Sequence, residues 1–323
     1  MRITCRHCPR NCVLDEEQRG YCFVRQNQHG KIVCTTYGRC TGLNIDPVEK
    51  KPLMHFHPGS RTLSLGTVGC NLGCLFCQNW KMSHAMDDRF LTVLAEPEEI
   101  AEMAIKQRCP SVSCTYNEPI VWAEYAHDIA AACRERGVQT VVVTAGYISA
   151  EDRRLFFENI DAANIDLKGF SDAFYEKYCH AGLGPVLDTI EWCAKETDMW
   201  LELTNLVIPR ANDSLEMIRR MCDWITARLG VDVPVHFSAF FPHHKLVDRL
   251  PTSWEQLKKA YDIARRAGIH HVYLGNVNAP QYESTWCPGC GQMVIGREGY
   301  RITQFSLKNG HCTYCGTTIA GHL

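Results

Sequence analysis

The chain has 323 residues, with 34 Lys plus Arg against 36 Asp plus Glu and a formal net charge of -2. Near-neutrality excludes a strong overall attraction to nucleic acid or to an acidic membrane and leaves only a local patch for either. The length allows one large domain or two to three smaller ones. The first residues lack the apolar core of a signal peptide, and no apolar run is long enough to span a bilayer, so a cytoplasmic protein is expected. In that compartment, 19 cysteines in short spacings read as metal or cluster ligands, not disulfides.

In chain order, residues 1–40 hold Cys5, Cys8, Cys12, Cys22, Cys34 and Cys40. The segment is poor in apolar residues, so a zinc ion or an auxiliary iron-sulfur cluster on Cys5, Cys8, Cys12 and Cys22 is its expected glue. Cys34 and Cys40 read equally well as further ligands or as buried thiols. Seven basic residues against Asp15, Glu16 and Glu17 make the segment locally positive. Residues 41–61 read as a connector with Pro47, Pro52 and Pro58, in which His55 and His57 are metal or substrate ligands or mark a turn.

From Thr62 onward strands and helices alternate. Strands are predicted at Thr62 to Val68, Ser111 to Tyr116, Thr140 to Thr144, Ala162 to Asp166, Trp200 to Ile208, Val235 to Ala239 and His271 to Leu274. Helices are predicted from Pro97 to about Arg108 and from Ile120 to Arg136, with further helices opening at Ser149, at an Asp213/Glu216 capping box and at a Thr252/Glu255 one. β-Branched runs such as Thr140-Val-Val-Val-Thr144 suit buried parallel strands, so an α/β fold with a parallel open sheet or barrel follows. At the end, Cys287-Pro-Gly-Cys290 and Cys312-Thr-Tyr-Cys315 are two knuckles fit for tetrahedral zinc or, alternatively, one rubredoxin-type iron.

Ligand sites in such folds gather at the C-terminal ends of the strands. There the sequence places Cys70-x3-Cys74-x2-Cys77 after the first strand, Glu118 after the second, Thr144 after the third, and Asp166-Leu-Lys168 after the fourth. Three thiolates on a cluster that needs four leave one iron open to an outside ligand.

The cysteine loop, with Phe76 before its last cysteine, matches the signature of the radical S-adenosylmethionine (radical SAM) superfamily. Together with Leu65-Gly-Thr-Val-Gly-Cys70, Thr115 to Pro119, Asp166-x-Lys168, Leu206 to Pro209, Gly275-Asn-Val277 and the two outer cysteine sets, the chain resembles the radical SAM enzyme of the AmmeMemoRadiSam system, a group similar to pyruvate formate-lyase activating enzyme. The resemblance implies a radical SAM partial (β/α)6 barrel, residues 58–280, with a Cys-rich N-terminal metal-binding extension and linker, residues 1–57, and C-terminal zinc-ribbon-like knuckles, residues 281–323. It implies a [4Fe-4S] cluster on Cys70, Cys74 and Cys77 that cleaves S-adenosylmethionine to a 5'-deoxyadenosyl radical. Glu118 would bind the amine, although Tyr116-Asn117 stand where the family has two glycines. Phe76, Thr144, Asp166, Lys168, Asn205 and His236 would line the cofactor. Flavodoxin or ferredoxin would supply electrons, and the substrate would be a protein of the glycyl-radical type or a small molecule. RNA modification and a non-catalytic metal scaffold or electron carrier are the alternatives.

Overall fold

The computed structural model describes residues 1–85 and 93–323. Seven parallel strands form its centre: β1 (Arg61–Gly66), β2 (Ser111–Cys114), β3 (Gln139–Thr144), β4 (Ala162–Asp166), β5 (Trp200–Val207), β6 (Val235–Ala239) and β7 (Val272–Gly275), each hydrogen-bonded to the next in that order. Helices α1 (Pro97–Lys106), α2 (Ala123–Glu135), α3 (Ala150–Phe157), α4 (Gly184–Glu196), α5 (Leu215–Leu229) and α6 (Trp254–Arg266) follow the first six strands in turn. This is the expected partial (β/α)6 barrel with a seventh strand added. The β-branched runs are buried as parallel strands require; Val141 and Val142 have no exposed surface.

Helix starts follow local capping chemistry. Glu96 and Glu99 close a capping box on α1, and Pro97 occupies its first turn. Two caps lie one residue beyond the predicted ones. Ser214 caps α5 by accepting from Met217 N, while Asp213 accepts from Arg210 N. Ser253 and Gln256 box α6, because the Thr252 hydroxyl is taken up bridging Val207 O and Phe240 N. Helix α4 has no counterpart among the predicted elements. Gly182, Gly184 and Pro185 give its start the look of a loop, but Pro185 sits in the first turn, where its missing N–H costs nothing.

The larger correction concerns the connector. Residues Arg39–Pro47 form a strand antiparallel to β1, pairing from Pro47 with Arg61 to Thr41 with Gly66, with a bulge between Thr41 and Asn44. Cys40 within it is fully buried. The Cys-rich extension is thereby continuous with the central sheet across the expected boundary at 57/58. At the other end of the chain, Thr285–Trp286, Met293–Glu298 and Arg301–Phe305 make a three-stranded antiparallel sheet around Val294, Ile295 and Ile319. No helix among the described residues is long and apolar enough to cross a membrane.

Candidate active site and cysteine centres

The loop carrying Cys70, Cys74 and Cys77 leaves the C-terminal end of β1 and is held from two sides. Gly69 has φ +86, and a Cβ there would collide with the Cys22 carbonyl oxygen. A Cβ at Gly73 would run into the Tyr21 hydroxyl. On the far side, Gly73 N donates to Cys179 O (2.8 Å) and Leu75 N to Tyr178 O (2.9 Å). Those carbonyls belong to a π-helical turn, Tyr175–Cys179, of the kind often found at functional sites. A hydrogen bond from Cys179 holds the Cys74 thiol below its ordinary pKa against the effect of burial. The three thiols do not all lie within 4.8 Å of one another, a span too wide for one tetrahedral ion. Three cysteine ligands from one loop suit a [4Fe-4S] cluster with one iron left open.

Glu118 follows β2 and is 4% exposed. Its carboxylate accepts from Thr144 Oγ1 (2.5 Å), Ala145 N (2.7 Å) and Ile120 N (3.2 Å). Burial nevertheless outweighs these bonds and raises its pKa above the usual carboxylate value. Lys168 helps only through its charge, because its ammonium is bonded to Asp166 Oδ2 at 2.7 Å. Burial works against that ammonium, yet Asp166 and the Cys74 sulfur keep its pKa well above the ordinary lysine value. Glu118, Thr144, Asp166 and Lys168 therefore meet the cysteine loop on one face of the sheet.

The two residues in place of the family's glycines are accommodated in different ways. Tyr116 adopts φ +68, a conformation that favours glycine, and is tied down by its hydroxyl donating to Asp46 (2.7 Å) and by Lys51 over its ring at 4.8 Å. Asn117 uses its side chain as a clasp: Oδ1 accepts from Thr67 N (2.9 Å) and Nδ2 donates to Gly69 O (2.9 Å). Sequence reasoning missed Asn117 and Cys179. An asparagine beside a strand end was a readable cue for the first, whereas nothing near Cys179 in sequence ties it to Cys74.

Two expected cofactor residues lie elsewhere. Asn205 is in phase with Leu201, Leu203 and Val207 on the helix-facing side of β5; its amide donates to Leu167 O (2.7 Å) and touches Met221 Sδ of α5 (3.7 Å). His236 lies near the N-terminal start of β6, at the opposite end of the strands from the cysteine loop, with Nε2 2.6 Å from Glu202 Oε2. Glu202, with no exposed surface, also accepts from Met54 N, His55 N and Trp200 Nε1. Burial opposes its ionisation, but the His236 bond and the neighbouring histidines hold its pKa below the usual carboxylate value. His55 continues the network to Tyr273 Oη (2.6 Å) and Ala320 O (2.7 Å), and buried Arg297 of the C-terminal sheet donates to Met54 O (2.6 Å). His55 is thus a structural link. Phe76 is buried with its ring 6.3 Å from that of Phe174, and Trp80 stacks on His244 at 5.0 Å.

The terminal knuckles converge as their spacing demands. Cys287 and Cys315 sulfurs are 3.6 Å apart and Cys290 and Cys312 sulfurs 3.8 Å, and all four lie within 4.8 Å of one another. A tetrahedron with metal–sulfur bonds of about 2.3 Å has edges of about 3.8 Å, so the donor set fits one ion.

Residues 64–225 match the family model of the radical SAM superfamily. The chain belongs to that superfamily. This radical SAM protein is 40% identical over 320 residues to an uncharacterized protein of Methanocaldococcus jannaschii, covering 98% of this chain and 95% of that one. It is 25% identical over 203 residues to the pyruvate formate-lyase-activating enzyme of Clostridium pasteurianum, covering 58% of this chain and 81% of that enzyme. It is also 25% identical over 261 residues to the 4-hydroxyphenylacetate decarboxylase activating enzyme of Clostridioides difficile strain CD196, covering 77% and 74%. Among solved structures, a radical SAM methyltransferase from Sphaerobacter thermophilus shares the fold with a TM-score of 0.55 at 17% identity, over 74% of this chain and 71% of that one. The radical SAM protein is therefore an enzyme with homology to activating enzymes.

Proposed function

We infer that Cys70, Cys74 and Cys77 hold a [4Fe-4S] cluster, that Glu118 receives the ammonium group of S-adenosylmethionine beside it, and that the enzyme abstracts hydrogen from a protein substrate. The observation that carries this reading is Glu118, a buried carboxylate with a raised pKa and, among the described residues, no ion pair, at the strand end beside the loop of Cys70, Cys74 and Cys77. An incoming ammonium would supply the charge that burial leaves unbalanced. When bound, the cluster and the sulfonium supply one-electron cleavage of a carbon–sulfur bond, and with it hydrogen abstraction by a 5'-deoxyadenosyl group.

The protein's own residues do the positioning. Thr144 and the amides of Ala145 and Ile120 aim the Glu118 carboxylate. Asn117 locks the ends of β1 and β2 together, so that Glu118 and Cys70 keep a fixed relation. The Asp166–Lys168 pair offers a positive charge, steered by Asp166, to a carboxylate of the cofactor or of a peptide. Phe76 and Phe174 add an apolar wall that excludes water.

A protein substrate is favoured over a small molecule because the activating enzymes among the relatives carry the names of the proteins they activate. Such an enzyme draws on a flavodoxin or ferredoxin in a reducing cytoplasm, and the C-terminal knuckles take zinc. RNA modification gains nothing from the basic first segment, where Arg10 donates to Asn71 O and His180 O, and Arg25 to Val121 O and Glu124. Anaerobically reconstituted protein with dithionite should convert S-adenosylmethionine to 5'-deoxyadenosine, and Cys74→Ala should abolish the conversion. Cleavage retained by that variant would remove the assignment.

A further inference from the structure

The N-terminal cysteines take no part in the site described above, yet they are built against it. The hairpin of Ile3–Cys5 and Cys12–Leu14 puts Cys5 opposite Cys12. Cys8 lies in its loop, and Cys22 comes in from the next turn. All four thiols line one cavity with His7, Arg10, Arg25 and Asn71.

Two observations separate this set from the C-terminal knuckles. First, among the described residues the Cys287 set is the group whose ligand atoms gather within 4.8 Å; no three of Cys5, Cys8, Cys12 and Cys22 do so. The spread is too wide for one tetrahedral zinc but suits thiolates separated by four irons and four sulfides. Second, the set touches the catalytic loop on both sides of Cys70. The Cys22 carbonyl abuts Gly69, and Asn71 lines the same cavity as Cys8. Arg10 staples the contact by donating to Asn71 O at 2.5 Å. Buried Arg25 and half-buried Arg10 bring positive charge to a centre that four thiolates make anionic.

We propose that Cys5, Cys8, Cys12 and Cys22 hold a second [4Fe-4S] cluster that passes electrons to the cluster on the Cys70 loop. Four thiolates leave no open iron, so this centre binds no substrate and its chemistry is electron transfer. One electron from a low-potential donor of the flavodoxin or ferredoxin class reduces it. Passing that electron to the catalytic centre returns it to its oxidised state, with no proton or bond exchanged. The short routes are Cys8 to Asn71 to Cys70 and Cys22 to Gly69 to Cys70.

The relay rests on the proposed catalytic cluster, but the site does not, and the experiment separates them. The full chain carrying Cys70→Ala, Cys74→Ala and Cys77→Ala, reconstituted anaerobically with iron and sulfide, should retain about four iron and four sulfide per chain. Its reduced electron paramagnetic resonance signal should ignore S-adenosylmethionine. Absence of labile sulfide in that variant, or zinc in its place, overturns the site. With the catalytic cysteines intact, Cys8→Ser should slow reduction of the catalytic centre by reduced flavodoxin at least tenfold, followed by its S-adenosylmethionine-sensitive resonance. Cleavage driven by dithionite should persist. An unchanged flavodoxin rate overturns the relay, and loss of the dithionite-driven resonance together with retained sulfide in the triple variant assigns Cys8 to holding the loop, which also overturns it.

Discussion

Two glutamates buried at opposite ends of the same sheet have opposite electrostatics. Glu202, among the N-terminal strand starts, has an imidazole, an indole N–H and two backbone amides for its two oxygens, and its pKa lies below the ordinary value even though burial opposes ionisation. Glu118, at the C-terminal strand ends, has a hydroxyl and two amides, and burial raises its pKa. One charge is compensated by the fold, whereas burial outweighs the partners that the described residues offer the other. The contrast separates a buried acid whose charge the fold answers from one proposed to meet a ligand, although both are single glutamates, one after β2 and one on β5.

The largest effect expected from this contrast is on stability. Glu202→Ala should strip partners from His236, Trp200 and the Met54 and His55 amides, and cost about 3–5 kcal/mol in denaturant unfolding of the apoprotein. Glu118→Ala should cost much less, and equal losses would erase the distinction.

The pH dependence should also divide by face. Burial lowers the His55 pKa to about 4 and lowers that of His271 as well, while Glu202 is held low by its partners. A depressed pKa gives stability that is present above the unfolded value and is lost as pH falls through the folded one. Stability should therefore drop between about pH 6.5 and 4, and His55→Asn should flatten that slope. Glu118, with its raised pKa, contributes the reverse sign: stability is fullest below the unfolded carboxyl value and is lost as pH rises through the folded value. Apoprotein with Glu118→Gln should therefore lose less stability than the parent as pH rises from below the ordinary carboxyl value.

A smaller effect, about 1 kcal/mol, should follow Tyr116→Phe, which removes the hydroxyl that anchors a left-handed residue to Asp46. A melting curve unchanged by that substitution would show that the Lys51 contact suffices.

Much of the candidate site's placement was legible because its residues lie in short spacings. The Cys70 loop, Glu118, Thr144 and the Asp166–Lys168 pair each stand at a strand end that hydrophobic alternation locates. Asn205 was misread although the phase of Leu201, Leu203 and Val207 already turns it toward the helices. His236 was misread although it stands second in the predicted strand Val235 to Ala239; its partner Glu202 lies on the neighbouring strand, and strand register is not written in the sequence. Residues Arg39–Pro47 were hidden by their bulge, Gly42 and Pro47, which break the alternation that marks a strand. The partnership of Cys179 with Cys74 depends on a π-helical turn brought in from a later β/α unit, and only tertiary packing creates it.

The most direct test of the account is the affinity of S-adenosylmethionine for the anaerobically reconstituted enzyme with Glu118 intact and with Glu118→Gln, at equal cluster content. Loss of a charge-assisted bond of about 1.5–3 kcal/mol predicts binding weakened roughly 10- to 100-fold in the variant. Equal affinity in the two proteins would contradict the claim that the uncompensated carboxylate is the ligand-binding one.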